Sequence, residues 1–423
     1  MARDRHFPPN FPKILAAKGH DPHSLPRFPH SARYYSTGRT WSTSAKVSVA
    51  PVFGISQRPT PHRGHALIVN YTATSYHWGC YATSVALHES LTRAGYAVMT
   101  SPVEVTHAIS TTPTSADDLQ SEAFQSTFER GNGLLCQLMR DCEMVVINGE
   151  GTLHRDHAGS RNLLAIAYIA ATRYRRPVHM VNHSCFPNGD NQHASDEVEA
   201  LYRLALGACT TRAAREPLTA AHYKRWGMPV QQSFDCLPLW LETYFPRLRH
   251  KAPPNLRILI AGGVSWYEAV SEAFASALVS LDKSATFGFL GGSYRRDPPE
   301  DMRTMNALKP LMPSLAYLTP KTTDDWLREI ASTTLLVTGR FHHAVAAAAL
   351  GTPFVSMASN TPKTDGVCEF LALPKPLDPY SANFRDEAAS AVSQALSGSN
   401  CKTNAQQQLQ VRALAKVNLC WEA

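Results

Sequence analysis

Long apolar runs are missing from this 423-residue chain: the longest, Leu163 to Ala171, has nine residues. That is about half of what a membrane-spanning helix needs. No C-x-x-C pair and no H-E-x-x-H occurs, although there are nine cysteines and 18 histidines. The cysteines are scattered and odd in number, which argues against a disulfide framework or a zinc module and for a reducing compartment. No metal and no cofactor is expected, and the expected location is cytoplasmic. No secretory apolar core follows the first residues. A wholly disordered or collagen-like chain is excluded by 44% apolar and 18% charged residues, which supply large cores.

Excess charge is also lacking over most of the chain. The formal net charge is +7, but residues 1–63 hold ten Lys/Arg against two acids, leaving 64–423 at −1. The same stretch carries nine of the 29 prolines and little apolar periodicity, so it reads as a disordered basic tail. A solvated tail is the preferred reading. An electrostatic tether to the acidic inner face of a membrane is the sharper alternative. A near-neutral body gives no footing for nucleic-acid binding.

From residue 64 onward, short β-branched runs alternate with helical stretches. Expected strands are His65–Tyr71, Tyr96–Thr100, Met144–Asn148 and Pro177–Asn182, with helices over Cys80–Arg93, 117–140, Arg161–Arg175, Ser195–Leu206 and Glu216–Trp226. A Pro-rich, aromatic break covers 236–254. The alternation then restarts with strands at Leu256–Ala261, Thr286–Leu290, 315–318, Thr334–Thr338 and Pro353–Met357. Helices between them fall at Glu268–Leu281, 299–309, 323–331 and Phe341–Leu350, and two more close the chain at 384–397 and 404–417. Strands separated by helices of this length imply right-handed crossovers and parallel sheets. The fold class is α/β: a Rossmann-like domain over 64–240, a second over 255–383 and a helical segment over 384–423. Such pairs bind ligands outside the carboxyl ends of their strands.

Strand-to-helix turns are therefore the places to look for chemistry, because helix N-termini attract anions. In Asn148-Gly-Glu-Gly-Thr-Leu-His154, Gly149 and Gly151 permit close approach of a ligand, while Glu150, His154 and Asp156 offer polar groups. A tight loop with solvated charges is an equal reading. Phe289-Leu-Gly-Gly-Ser-Tyr-Arg-Arg296 reads rather as a surface turn. In Leu336-Val-Thr-Gly-Arg-Phe-His-His-Ala344, Arg340, His342 and His343 sit where a strand turns into an Ala-rich helix. A guanidinium and a titratable imidazole there converge on the place where an anion docks. Lys363 follows the next strand, and Arg212, in Thr210-Thr-Arg-Ala-Ala-Arg-Glu216, follows a short strand and precedes a helix.

At these residues the chain resembles the polysaccharide pyruvyl transferase family over about 66–375. The ordered matches are Asn70 and His77-Trp-Gly-Cys80, Ile147-Asn-Gly-Glu-Gly-Thr-Leu153, Ser184-Cys-Phe-Pro187, Arg212, and Phe234-Asp235. The most specific is Arg340-Phe-His-His-Ala344, then Gly351-Thr-Pro353, then Lys363. Departures are Ala213 after the arginine, Glu150 in place of one glycine of a pair, and His343 in place of an apolar residue.

The resemblance implies a two-domain GT-B-like fold and transfer of pyruvate from phosphoenolpyruvate to a sugar of a cell-surface or secreted glycan, as a ketal. The acceptor would be a glycan or lipid-linked saccharide, and the N-terminal domain its side of the cleft. It also implies the roles: Arg212 and Arg340 for the donor's anions, His342 as acid or base and Lys363 for the departing phosphate. Glu150 or Asp235 would orient the acceptor, with Ser184, Gly149 and Gly151 lining the site. A nucleotide-sugar glycosyltransferase and a non-catalytic glycan-binding protein are the alternatives, since fold alone does not decide function.

Overall fold

The structure is a computed structural model; it describes residues 63–73, 77–263, 266–281, 284–293, 299–398 and 400–422. Residues 1–62 of the expected tail lie outside the described residues, as do Arg295 and Arg296.

The first half begins with β1 (His65–Tyr71), α1 (Trp78–Arg93) and β2 (Ala97–Pro102). Four short helices follow: α2 (Val103–Ala108), α3 (Ala116–Gln120), α4 (Glu122–Gly131) and α5 (Gly133–Asp141). Then come β3 (Met144–His154), α6 (Ala158–Thr172), β4 (Val178–Phe186), α7 (Asp196–Gly207), β5 (Thr211–Ala214), α8 (Pro217–Arg225), β6 (Gln231–Gln232) and α9 (Leu237–Tyr244). The strands form one parallel sheet in the order β2-β1-β3-β4-β5-β6. Ala66–Val69 of β1 and Val145–Ile147 of β3 are fully buried, as expected of central strands covered by helices on both faces. Strand order reverses between β1 and β3, which opens a crevice at their carboxyl ends.

The second half contains β7 (Arg257–Gly263), α10 (Glu268–Val279), β8 (Thr286–Leu290), α11 (Pro299–Leu308), β9 (Ala316–Leu318), α12 (Thr323–Ala331), β10 (Leu335–Gly339), α13 (Phe341–Leu350), β11 (Phe354–Ser356) and α14 (Lys363–Phe370). Its parallel sheet runs β11-β10-β7-β8-β9, with the reversal between β7 and β10. The chain ends with α15 (Phe384–Leu396) and α16 (Ala405–Lys416). Two doubly wound sheets, each with a switch point, make this a GT-B-like fold.

Local chemistry sets many of the boundaries. The Thr322 hydroxyl and the Asp325 carboxylate form a capping box at the start of α12, and α13 stops at Gly351, whose φ of 81° favours glycine. Several elements differ from the sequence expectation: α2 and β6 are additional, and the helix expected over 117–140 is divided into α3, α4 and α5. Within the expected break lies α9, which a proline in its first turn starts rather than disrupts. Helix α14 was not foreseen. Strand β3 continues to His154 instead of turning at Asn148, and it stays paired with β4 as far as Phe186 through a bulge.

One apolar cluster spans both halves. It runs from Trp78, Ala82 and Leu87 through Trp240 and Leu241 to Trp326, Val345 and Trp421. Helix α16 packs against α9 and α13, and the last residues return to the first half, where Trp421 Nε1 donates to Ser90 Oγ at 2.9 Å. Among the described residues no helix is long and apolar enough to cross a membrane.

Candidate active site

At the carboxyl edge of the first sheet, Asn70, Glu150 and Asn182 have φ values of 58°, 41° and 50°. Asparagine tolerates this left-handed region through its short polar side chain, whereas glutamate needs support. Support for Glu150 comes from four donors. Its Oε1 accepts from Thr72 (2.5 Å), Thr83 (2.9 Å) and Asn148 (3.2 Å), and its Oε2 accepts from the Cys80 thiol at 3.2 Å. The carboxylate is thus turned to four internal donors at 7% exposure, rather than standing open in the cleft as the expected role of orienting an acceptor sugar requires. Gly149 differs from expectation too. A Cβ there would overlap His183, so this glycine serves close packing of β3 on β4 rather than ligand approach. Gly151 is half-exposed, and a Cβ on it would lie 3.7 Å from Arg215 Nη2 and 3.8 Å from Lys363 Nζ.

From the second half, α13 points its N-terminus at this edge. Gly263 and Gly339, at the ends of β7 and β10, approach so closely that a Cβ on Gly263 would fall 2.7 Å from the Gly339 backbone. Arg340, the residue before the helix, pairs with the buried Asp301, whose second oxygen accepts from Gly292 N at 2.9 Å. Two residues further, the His342 ring lies against Gly79 in the first turn of α1, where any side chain would collide with it. The two halves also meet where Trp78 N donates to Gly292 O at 3.2 Å.

Between them sits Asp235, wholly buried. Its Oδ1 accepts from Leu237 N (2.9 Å), and its Oδ2 lies 3.0 Å from Arg215 Nη1 and 3.5 Å from His342 Nε2. Burial would raise this carboxyl, but His342 and Arg215 outweigh it and hold Asp235 below its ordinary range. Arg215, 2% exposed, also donates from Nε to Ser184 Oγ at 2.9 Å and stacks over the Phe341 ring at 4.3 Å. Ser184 therefore orients the guanidinium. Lys363, the first residue of α14, donates to Asn360 Oδ1 at 2.9 Å. Burial and the nearby Arg215 lower its ammonium to about 8, so it is cationic at neutral pH but shares its proton readily. Glu216 caps α8 beside them, and burial pushes its carboxyl up to about 7.

The structure thus brings His342, Asp235, Ser184, Lys363 and Gly151 together, with Arg340 at the edge. It does not bring Arg212. That residue is second in β5, at the amino end, and its guanidinium donates to the carbonyls of Leu206, Cys209 and Pro229, where it closes the end of α7. The arginine at the carboxyl end is Arg215. A signal for it was present: Pro217 and Thr219 mark Glu216 as the N-cap of α8, which leaves Arg215 as the last residue before the cap. His343 is a core residue whose Nε2 accepts from Trp326 Nε1 at 3.0 Å, and burial keeps it neutral. Among the described residues no three His, Cys, Asp or Glu side chains gather as they would around a metal ion.

Two doubly wound parallel sheets, with a cluster of cationic side chains where they meet, define the class as GT-B-like, and the fold comparisons agree. The chain is similar to sucrose-phosphate synthase from Thermosynechococcus elongatus, at 13% identity and a TM-score of 0.53 over 85% of this chain and 97% of that one. It is also similar to S. aureus MnaA, solved with UDP, at 12% identity and a TM-score of 0.51 over 85% and 98%. UDP-GlcNAc 2-epimerase from Methanocaldococcus jannaschii gives 10% and 0.50 over 84% and 99%. These likenesses establish the fold. No curated protein matches the sequence. The family described as polysaccharide pyruvyl transferase matches residues 65–361, most of the chain, and the protein belongs to that family.

Proposed function

We propose that the protein moves pyruvate from phosphoenolpyruvate onto two hydroxyls of one sugar in a glycan, closing a ketal. The observation that carries this reading is the convergence of Arg215, Lys363 and the N-terminus of α13 on the pair formed by buried Asp235 and partly exposed His342. Phosphoenolpyruvate bears a phosphate and a carboxylate, and converging cations with free helix N–H groups are what such a donor requires. A proton added to its methylene carbon leaves a cation-like carbon, which one sugar hydroxyl attacks as it gives up its own proton. The bond to the phosphate oxygen breaks, and the second hydroxyl closes the ring as its proton leaves. His342, held against ionised Asp235, is the group placed to move these protons. Lys363 neutralises the departing phosphate, Arg215 holds the carboxylate, and Arg340, fixed by Asp301, flanks the donor. The acceptor enters over half-exposed Gly151 and Thr152 of the first half.

The test is release of inorganic phosphate from phosphoenolpyruvate by the purified protein. Release that depends on a glycoside with a free 4,6- or vicinal diol is expected; none with any such glycoside overturns the reading. The UDP of the S. aureus structure supports a nucleotide-sugar glycosyltransferase as the second reading. Thermal protection by UDP and not by phosphoenolpyruvate would favour it.

A further inference from the structure

We infer that Asn418, from the far end of the chain and beyond the segment matched to the family, is a positioning residue for the Asp235–His342 pair. This rests on the functional reading above. Asn418 follows α16, is fully buried and uses every hydrogen-bonding capacity of its side-chain amide. Its Oδ1 accepts from the backbone N–H of Asn182 at 2.7 Å and from the Ser233 hydroxyl at 3.3 Å. Its Nδ2 donates to the carbonyls of Phe234 (2.7 Å) and Ala415 (2.9 Å).

Two of these partners control Asp235. The Phe234 carbonyl belongs to the peptide that enters Asp235. The peptide that leaves it is held by Asn182, whose Oδ1 accepts from Cys236 N at 3.1 Å. Asn182 itself sits at φ 50° and donates from Nδ2 to Asn148 Oδ1 at 2.8 Å. Asn418 thus grips one flank of Asp235 directly and the other through Asn182. A backbone bond, from Phe234 N to Leu414 O at 3.3 Å, also ties Phe234 to α16. The Asp235 Oδ2 is already 3.5 Å from His342 Nε2, so a small displacement of the 234–236 backbone breaks the contact. Misplacement by about 1 Å can cost about 100-fold in rate.

Truncation to Asn418→Ala leaves a buried N–H and a buried C=O without partners, so a control that loosens the same segment is needed. Trp421→Phe removes the Nε1 bond to Ser90 Oγ without touching Asn182 or 234–236. With phosphoenolpyruvate and a pyruvylated glycoside acceptor, Asn418→Ala is expected to lower kcat about tenfold or more while KM for phosphoenolpyruvate stays within about threefold. Trp421→Phe is expected to keep wild-type kcat. Independently of turnover, the His342 ring signals in a ¹H–¹⁵N spectrum, assigned with His342→Gln, should move in Asn418→Ala and not in Trp421→Phe. Unmoved ring signals in Asn418→Ala, or equal changes in both variants, overturn the inference. A wild-type protein inactive towards phosphoenolpyruvate overturns the functional reading alone, because the spectrum still reports the placement of His342.

Discussion

The His342 ring occupies the space that a side chain on Gly79 would fill, so α1 of the first half and α13 of the second meet ring against backbone. Gly79 lies in a helix and carries no left-handed φ, so its smallness answers to this contact and not to backbone conformation. Gly79→Ala improves local helix propensity by up to about 1 kcal/mol but must push the ring aside. The expected outcome is a thermal midpoint near that of the wild type with kcat reduced about 100-fold. Wild-type kcat in Gly79→Ala would remove His342 from proton transfer.

Arg215 and Arg212 separate cleanly. Arg215→Lys keeps a charge but loses the fork that spans Ser184 and Asp235 and the stacking on Phe341. A loss of about 100-fold or more in kcat/KM for phosphoenolpyruvate is expected. Arg212→Ala strips donors from the carbonyls of Leu206, Gly207 and Cys209 at the end of α7 and from that of Pro229, which costs about 1–3 kcal/mol in urea unfolding. Its kcat/KM should stay within about threefold of wild type, and the reverse ranking would restore Arg212 as the donor residue.

Lys363 makes donor affinity depend on pH. Its ammonium is lowered to about 8, first by burial and then by Arg215, so it loses its charge as pH rises through that value. An anion binds the charged form better, and KM for phosphoenolpyruvate should therefore rise above about pH 8. Lys363→Arg should flatten that limb, since a guanidinium stays protonated. A KM that is constant from pH 7 to 9 in the wild type would exclude a charge contribution from Lys363.

Glu216 acts on stability in the opposite direction to a paired carboxylate. Burial raises its folded-state value from 4.5 to about 7, so between those values the native state binds the extra proton and stability falls as pH rises. The full cost, about 3 kcal/mol, is present above pH 7. Glu216→Gln keeps an oxygen for the Thr219 N–H and cannot ionise. Its stability relative to wild type should rise by that order between pH 5 and pH 8 in urea unfolding, and parallel pH profiles would show the carboxyl is not perturbed.

The sequence by itself determined the alternation of buried strands and amphipathic helices, the two parallel sheets and the placing of Arg340, His342 and Lys363 at their carboxyl edge. Those features are local: apolar runs, glycine turns and caps act over a few residues. Tertiary structure alone decided which groups are free to act. Arg212 and Arg215 are three residues apart, and only the extent of β5 puts one at each end of a strand. Glu150 reads as a loop acid open to a ligand or to solvent, yet donors from Thr72, Thr83 and Cys80, about 70 residues earlier, take up its carboxylate. Asp235 gains its setting from Arg215 and His342, which reach its carboxylate, and from Asn418, which bonds the carbonyl of the preceding Phe234, all from separate parts of the chain. No periodicity records such pairings, because they depend on how the two sheets pack and where each strand stops.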